Sequence, residues 1–179
     1  MIYKSVAEIF DFIDKTRADL ISKTQNLDEE QKNLRAAQTG WSVAEIVEHL
    51  ATVENGMIKI SAKLLAEAEG EGSQSDGSIN PPISFVEFGK AMQNQKFEAP
   101  ERVRPKGTQN LTESLAKMQE NRLLLQQLRP RFEAADATKP TFPHPALGEL
   151  NSYQWLAMIG IHEQRHLAQI EKILDVNVS

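Results

Sequence analysis

The chain has 179 residues, 20 of them basic and 25 acidic, for a net charge of -5, and it has no cysteine. That length suits one domain, 1–179, able to bury a sizeable core without disulfides or a structural metal. The acidic excess offers no basic stripe for nucleic acid, and the lack of cysteine excludes a thiol nucleophile, a cysteine-ligated metal and disulfides, while suiting a reducing cytoplasm.

The opening MIYKSVAEIFDFIDKTRADL scatters charges through what a signal peptide would keep apolar, so none is expected. No apolar run approaches the ~18–20 residues of a membrane span, so no membrane partner is expected either. Val6, Ile9, Ile13, Leu20 and Leu27 recur on one helical face and predict a first helix over about 5–27. Ser5 and Glu8 have the spacing of a capping box at its start. LDEEQKNL reads as a further turn or two before Gly40.

The second helix, about 42–69, is carried by Val43, Ile46, Leu50, Val53, Met57, Ile60 and Leu64 in steps of three and four. Ser42 and Glu45 form a capping box, and Trp41 can staple onto Ile46. Residues 70–109 are rich in turn formers, with one short helix possible in FVEFGKAM (85–92). The stretch is too long for a tight helix–helix turn, so it should cross the bundle or cover one end. Leu111, Leu115, Met118, Leu125, Leu128 and Phe132 predict a third helix over about 110–130, which Pro130 should end near Arg129. KPTFPHPALGEL reads as a loop, and the fourth helix, about 151–174, carries Trp155, Ile159, His162, His166, Gln169 and Ile173 on one stripe. No alternating run is long enough for a sheet. The expected fold is an all-α four-helix bundle with a long crossover connection between helices two and three.

The chemistry concentrates in HEQRH, residues 162–166. His162 and His166 lie one turn apart, with Cβ atoms ~5–6 Å from each other, inside a stripe that otherwise faces the core. Unpaired polar groups are costly there, so a metal, a hydrogen-bond network or a pocket must receive them. A satisfied core histidine is the alternative. His49 lies ~60° from the centre of the second helix's apolar seam, at ~100° per residue. If helices two and four are neighbours, three imidazoles converge, the pattern of an open divalent-metal site. The string matches the H-E-x-x-H of zinc proteases, but a metzincin would need glycine and histidine where Gln169 and Lys172 stand. A ligand from a later helix is not expected in the thirteen residues after His166, so His49 is the best third ligand. His144, between two prolines, is read as surface or as the mouth of the site. SINPPISFVEFG (78–89) and TFPHPALG (141–148) are expected to form a rim above the histidines.

GWSVAEIVEHLATVENGM (40–57) and HPALGELNSYQWLAMIGIHEQRHLAQIEKI (144–173) together resemble the DinB/YfiT-like superfamily: a tryptophan-serine helix start, a histidine on helix two and an H-x-x-x-H pair on helix four. The resemblance covers most of the chain, though residues 70–109 match nothing diagnostic. It implies a divalent metal, zinc or nickel first and iron or copper next, held by His49, His162 and His166. It implies a metal-dependent enzyme activating a small thiol or a water, of thiol S-transferase or hydrolase type, as in bacillithiol and mycothiol transferases and maleylpyruvate isomerase. The alternative is a non-catalytic metal-binding or interaction bundle. Catalytic residues beyond the ligands stay unassigned. Glu163, ~100° round the helix from His162, is a weak candidate base and a better salt-bridge residue. Glu45 is taken by the capping box, and Glu54 is a third candidate, more often a solvated helix charge. Relatives also imply a homodimer. Phe10, Phe12, Leu65, Leu123 and Leu124, off the main stripes, either form its patch or widen the core.

Overall fold

The computed structural model describes residues 2–84 and 98–177, so FVEFGKAM lies outside the described residues. The order is β1 (Ile2–Ser5), α1 (Val6–Thr24), α2 (Glu29–Asn33), α3 (Val43–Gly70), β2 (Ser78–Ser84), a 3-10 turn (Glu101–Val103), α4 (Leu111–Ala134), β3 (Thr141–His144), β4 (Gly148–Asn151) and α5 (Ser152–Asn177). The long helices α1, α3, α4 and α5 form the bundle, with α3 packed against both α4 and α5 and α5 against α1. None of the described helices is long and apolar enough to cross a membrane.

Side chains fix the helix starts. Ser42 Oγ accepts from the Glu45 amide (3.2 Å) while Glu45 Oε2 accepts from the Ser42 amide (2.7 Å). Reciprocal pairs of the same kind open α2 (Asp28, Gln31) and α4 (Asn110, Glu113), each satisfying amides that lack a helical partner. The α1 start differs from expectation in one bond. Ser5 accepts from the Glu8 amide, but Glu8 reaches back to the amide of Lys4.

Two further expectations are corrected. Pro130 does not end α4, which continues to Ala134. The turn beyond it is anchored by fully buried Phe132 and by the fork of Arg131 on Glu69 (2.8 and 2.6 Å), tertiary contacts that override the proline's lost hydrogen bond. There are also two small antiparallel sheets, β1–β2 and β3–β4. KPTFPHPALGEL is therefore largely a hairpin, pairing Thr141 with Asn151 and His144 with Gly148. Every strand here is an edge, which is why Pro81, Pro82 and Pro143 are tolerated.

The core has two apolar clusters. One gathers Ile9, Phe10, Ile13, Leu64, Leu125, Phe132 and Tyr153; the other gathers Leu20, Ile46, Leu50, Met118, Leu167 and Ile170. On each long helix a polar position separates the two sets: Arg17 on α1, Glu54 on α3, Asn121 and Arg122 on α4, and Glu163 on α5, all buried. Arg17 donates to both oxygens of Glu163 (2.7 and 3.0 Å), to Glu54 (2.8 Å) and to the Met118 carbonyl (2.9 Å). Asn121 donates to the Ala51 carbonyl and to Glu54 (2.9 and 3.3 Å). Burial pushes the Glu54 carboxyl up, against the pull of Arg17 and Arg122. Glu54 is thus no solvated helix charge.

Removing one member of such a layer leaves a buried charge without its partner, at a cost of about 3–5 kcal/mol. Glu163→Ala is expected to lower the unfolding free energy by that order in urea titrations with an unchanged m-value. A loss within about 0.5 kcal/mol, the usual size for a surface change, would mean that the Arg17 pair does not constrain the fold.

Candidate metal centre

His49 lies two turns into α3, so the Ser42–Glu45 capping box fixes where its turn begins. His162 and His166 come from consecutive turns of α5. Packing of α3 on α5 brings the three rings together, with centroids 5.2 Å (His49–His162), 5.1 Å (His49–His166) and 4.6 Å (His162–His166) apart. One nitrogen from each lies within 4.8 Å of the others. His49 Nε2 and His162 Nε2 are 3.3 Å apart. Two ligands of one tetrahedral ion with bonds of ~2.0–2.1 Å would be separated by about the same distance.

Second partners set the tautomers of two rings. His49 Nδ1 is 2.7 Å from the Val103 carbonyl. A carbonyl only accepts, so Nδ1 carries the proton and Nε2 keeps a lone pair. His166 Nδ1 is 2.9 Å from Gln169 Oε1, which leaves His166 Nε2 free in the same way. An orienting acceptor on the far nitrogen is what a metal-ligating imidazole requires.

Electrostatics keep the rings neutral. Burial depresses His49, and burial with the neighbouring His49 lowers His166 to about 4. His162 is driven well below its ordinary value by burial first and then by the other two imidazoles. Near pH 7 the cluster therefore presents lone pairs rather than charges, and the donor set fits three of the four ligands of a tetrahedral divalent ion.

One aromatic ring packs directly on the cluster. The Trp41 ring lies 4.7 Å from His49 and 6.4 Å from His166, the latter stacked. The β3–β4 hairpin brings half-buried His144 to 5.3 Å from the Trp155 ring, and Trp155 Nε1 donates to the Phe142 carbonyl (3.1 Å). His144 is close enough that its charge would depress His162. TFPHPALG thus approaches the histidines.

The described part of the other expected rim segment does not. β2 begins against Ser5 and follows a chain tied to Ala68 and Ala134 at the C-terminal ends of α3 and α4. Ala68 is about 28 Å along α3 from His49 at ~1.5 Å per residue. Residues 85–89 of that segment lie outside the described residues.

Glu163 is turned from the cluster into the Arg17 pair, with both oxygens engaged, which makes it a salt-bridge residue. Glu45 is held by its capping box and by Arg35 (2.6 Å). Sequence reasoning missed Glu48, whose buried carboxylate receives the amides of Lys106 and Gly107 and the Thr108 hydroxyl. Its one visible signal was adjacency to His49.

With this geometry in view, the comparisons are consistent. The uncharacterized protein YuaE of Bacillus subtilis (strain 168) is 24% identical over 165 residues, covering 89% of this chain and 93% of its own length. The crystal structure of TT2238, a four-helix bundle protein, superposes with a TM-score of 0.63 at 22% identity, over 94% of this chain and 99% of that one. It supports the bundle fold alone. The family model of the DinB superfamily matches residues 13–170. The chain belongs to the DinB superfamily.

Proposed function

We propose that His49, His162 and His166 hold one divalent ion and that the chain is a metal-dependent enzyme activating a small thiol or a water, of S-transferase or hydrolase type. The observation that carries this reading is the convergence of three neutral imidazoles, two of them with the far nitrogen already hydrogen-bonded to an acceptor. When bound, such an ion lowers the pKa of a thiol or water and so supplies a nucleophile near neutral pH. Zinc and nickel come first, iron and copper next, because imidazole donors suit all four.

The protein's own part is binding and orientation. The Val103 carbonyl and Gln169 hold two rings in the required tautomer. Trp41 packs on His49 and His166 and presents apolar surface beside the cluster. With Glu163 locked on Arg17, no base stands in the HEQRH turn to take a proton from water. A thiol, with an ordinary pKa near ~8.5, needs less help, so the thiol branch is the stronger one.

The same engagement of Glu163 favours the second reading, a metal-binding bundle without turnover. Thiol-conjugation and ester-hydrolysis screens separate the two. Turnover that vanishes with chelator and returns with zinc or nickel supports the enzyme. Metal-dependent melting without any turnover supports the bundle.

Chelator-stripped protein is expected to bind one zinc or nickel ion per chain in calorimetric titration, and His162→Ala to abolish that stoichiometric binding. Retention of one ion by the variant would remove His162 from the ligand set.

A cytoplasmic setting is proposed with this reading, on the absence of cysteine. So is a two-fold dimer through α4. Phe10 and Leu65 are fully buried and Phe12 packs on the core, whereas Leu123 and Leu124 are 56% and 45% exposed side by side. A two-fold pairing is the commonest closed way to cover such a patch. Light scattering should give twice the 20.1 kDa of one chain; a single-chain mass unchanged on concentration would end the dimer proposal.

A further inference from the structure

The residue before His49 is tied to the same passing segment as His49 itself, with opposite polarity. Glu48 is only 6% exposed, and its hydrogen-bond donors come from one short stretch: the Gly107 amide at 2.9 Å, the Thr108 hydroxyl at 3.2 Å and the Lys106 amide at 3.4 Å. It makes no ion pair among the described residues. Three to five residues earlier, the Val103 carbonyl accepts from His49 Nδ1 at 2.7 Å. Residues 101–108 thus form a strap across the start of α3, gripped by a carboxylate at its amides and by an imidazole at its carbonyl. Apart from half-buried Val103 and Pro105, the strap is exposed, so little apolar packing holds it in place. Arg104 stabilises it internally, donating to the Ala99 carbonyl and pairing with Glu98 at the surface.

We infer that Glu48 is a positioning residue for the metal site: by clamping the strap at Lys106–Thr108 it holds the Val103 carbonyl where His49 Nδ1–H must donate, and so aims the His49 Nε2 lone pair at His162 and His166. The inference rests on the proposed metal centre for its functional meaning, but its structural content is a property of the metal-free chain. Backbone carbonyls commonly fix the tautomer of a ligating histidine. Here the carbonyl belongs to an exposed connection, and a buried carboxylate with no other partner among the described residues supplies the anchorage. A neutral imidazole freed from its acceptor populates both tautomers, and only one of them offers Nε2 to an ion.

The test uses the full chain stripped of metal, with Glu48→Ala and Glu48→Gln beside the wild type. Nitrogen-15 NMR of the imidazoles should show wild-type His49 in the Nδ1–H form and Glu48→Ala with mixed tautomers, while His166 is unchanged. Zinc affinity measured by competition with a chromophoric chelator should fall ~10–100-fold in Glu48→Ala and by less in Glu48→Gln, which keeps one of the two acceptor oxygens. A purely structural role for Glu48 would lower the melting temperature and leave the His49 tautomer alone. An unchanged tautomer together with zinc affinity within twofold of wild type would overturn the proposal. If Glu48→Ala does not fold, Glu48→Gln decides by the same two readouts. If the wild type binds no zinc, the metal reading fails and the tautomer comparison in the metal-free chain still decides the positioning role.

Discussion

The pairing of Arg17 with Glu163 and Glu54 is the constraint on which the rest of the arrangement depends. Apolar stripes tolerate sliding and rotation, because many packings of similar volume bury similar area. Buried charges do not. Arg17 must meet a carboxylate from α3 and another from α5 at 2.7–3.0 Å, and Asn121 must find Glu54 and the Ala51 carbonyl from α4. A slip of one turn, about 5.4 Å, would leave several of these groups buried and unpaired. Replacing such a layer by apolar residues is often neutral or stabilising, so its contribution here is one of register rather than net stability.

That register explains why the histidines face α3. Glu163 follows His162 directly, ~100° further round the helix. Holding Glu163 against α1 through both carboxylate oxygens fixes the rotation of α5 about its axis, and His162 and His166 are then carried onto the side that His49 occupies. The Glu163 of HEQRH therefore serves the site by turning away from it. The string shared with zinc proteases performs different work here: the two histidines keep the spacing, while the glutamate belongs to the core.

Periodicity made the bundle legible, since α3 displays a long apolar seam and α5 an apolar stripe broken by His162, His166 and Gln169, and capping chemistry located the start of α3. The same method read the His162–His166 pair directly, because one helix sets their spacing. His49 needed a condition, the adjacency of two helices, that no local pattern supplies. Glu54 and Glu48 were not readable at all. A lone carboxylate on an amphipathic helix looks solvated unless its partner is known, and those partners lie 37 residues before Glu54 in Arg17 and 59 residues after Glu48 in Gly107. The sheets escaped for another reason: β1, β3 and β4, with four residues each, are too short to show alternation, and prolines in β2 and β3 argue against strand wherever a sheet interior is assumed.

The balance of charge around the three imidazoles gives the site a direction. All three are neutral near pH 7, and the carboxylates adjacent to them in sequence face elsewhere, Glu48 into the strap and Glu163 into Arg17. Arg165, between the two histidines of α5, adds positive charge that is felt at His49, His162 and His166. A dication held by this donor set would find no compensating negative charge among its ligands, in contrast to sites that include a carboxylate. Compensation would have to come from a further bound anion, which a thiolate or a hydroxide would supply. The electrostatics thus call for an anionic ligand beside the three imidazoles, and neither Glu48 nor Glu163 supplies it.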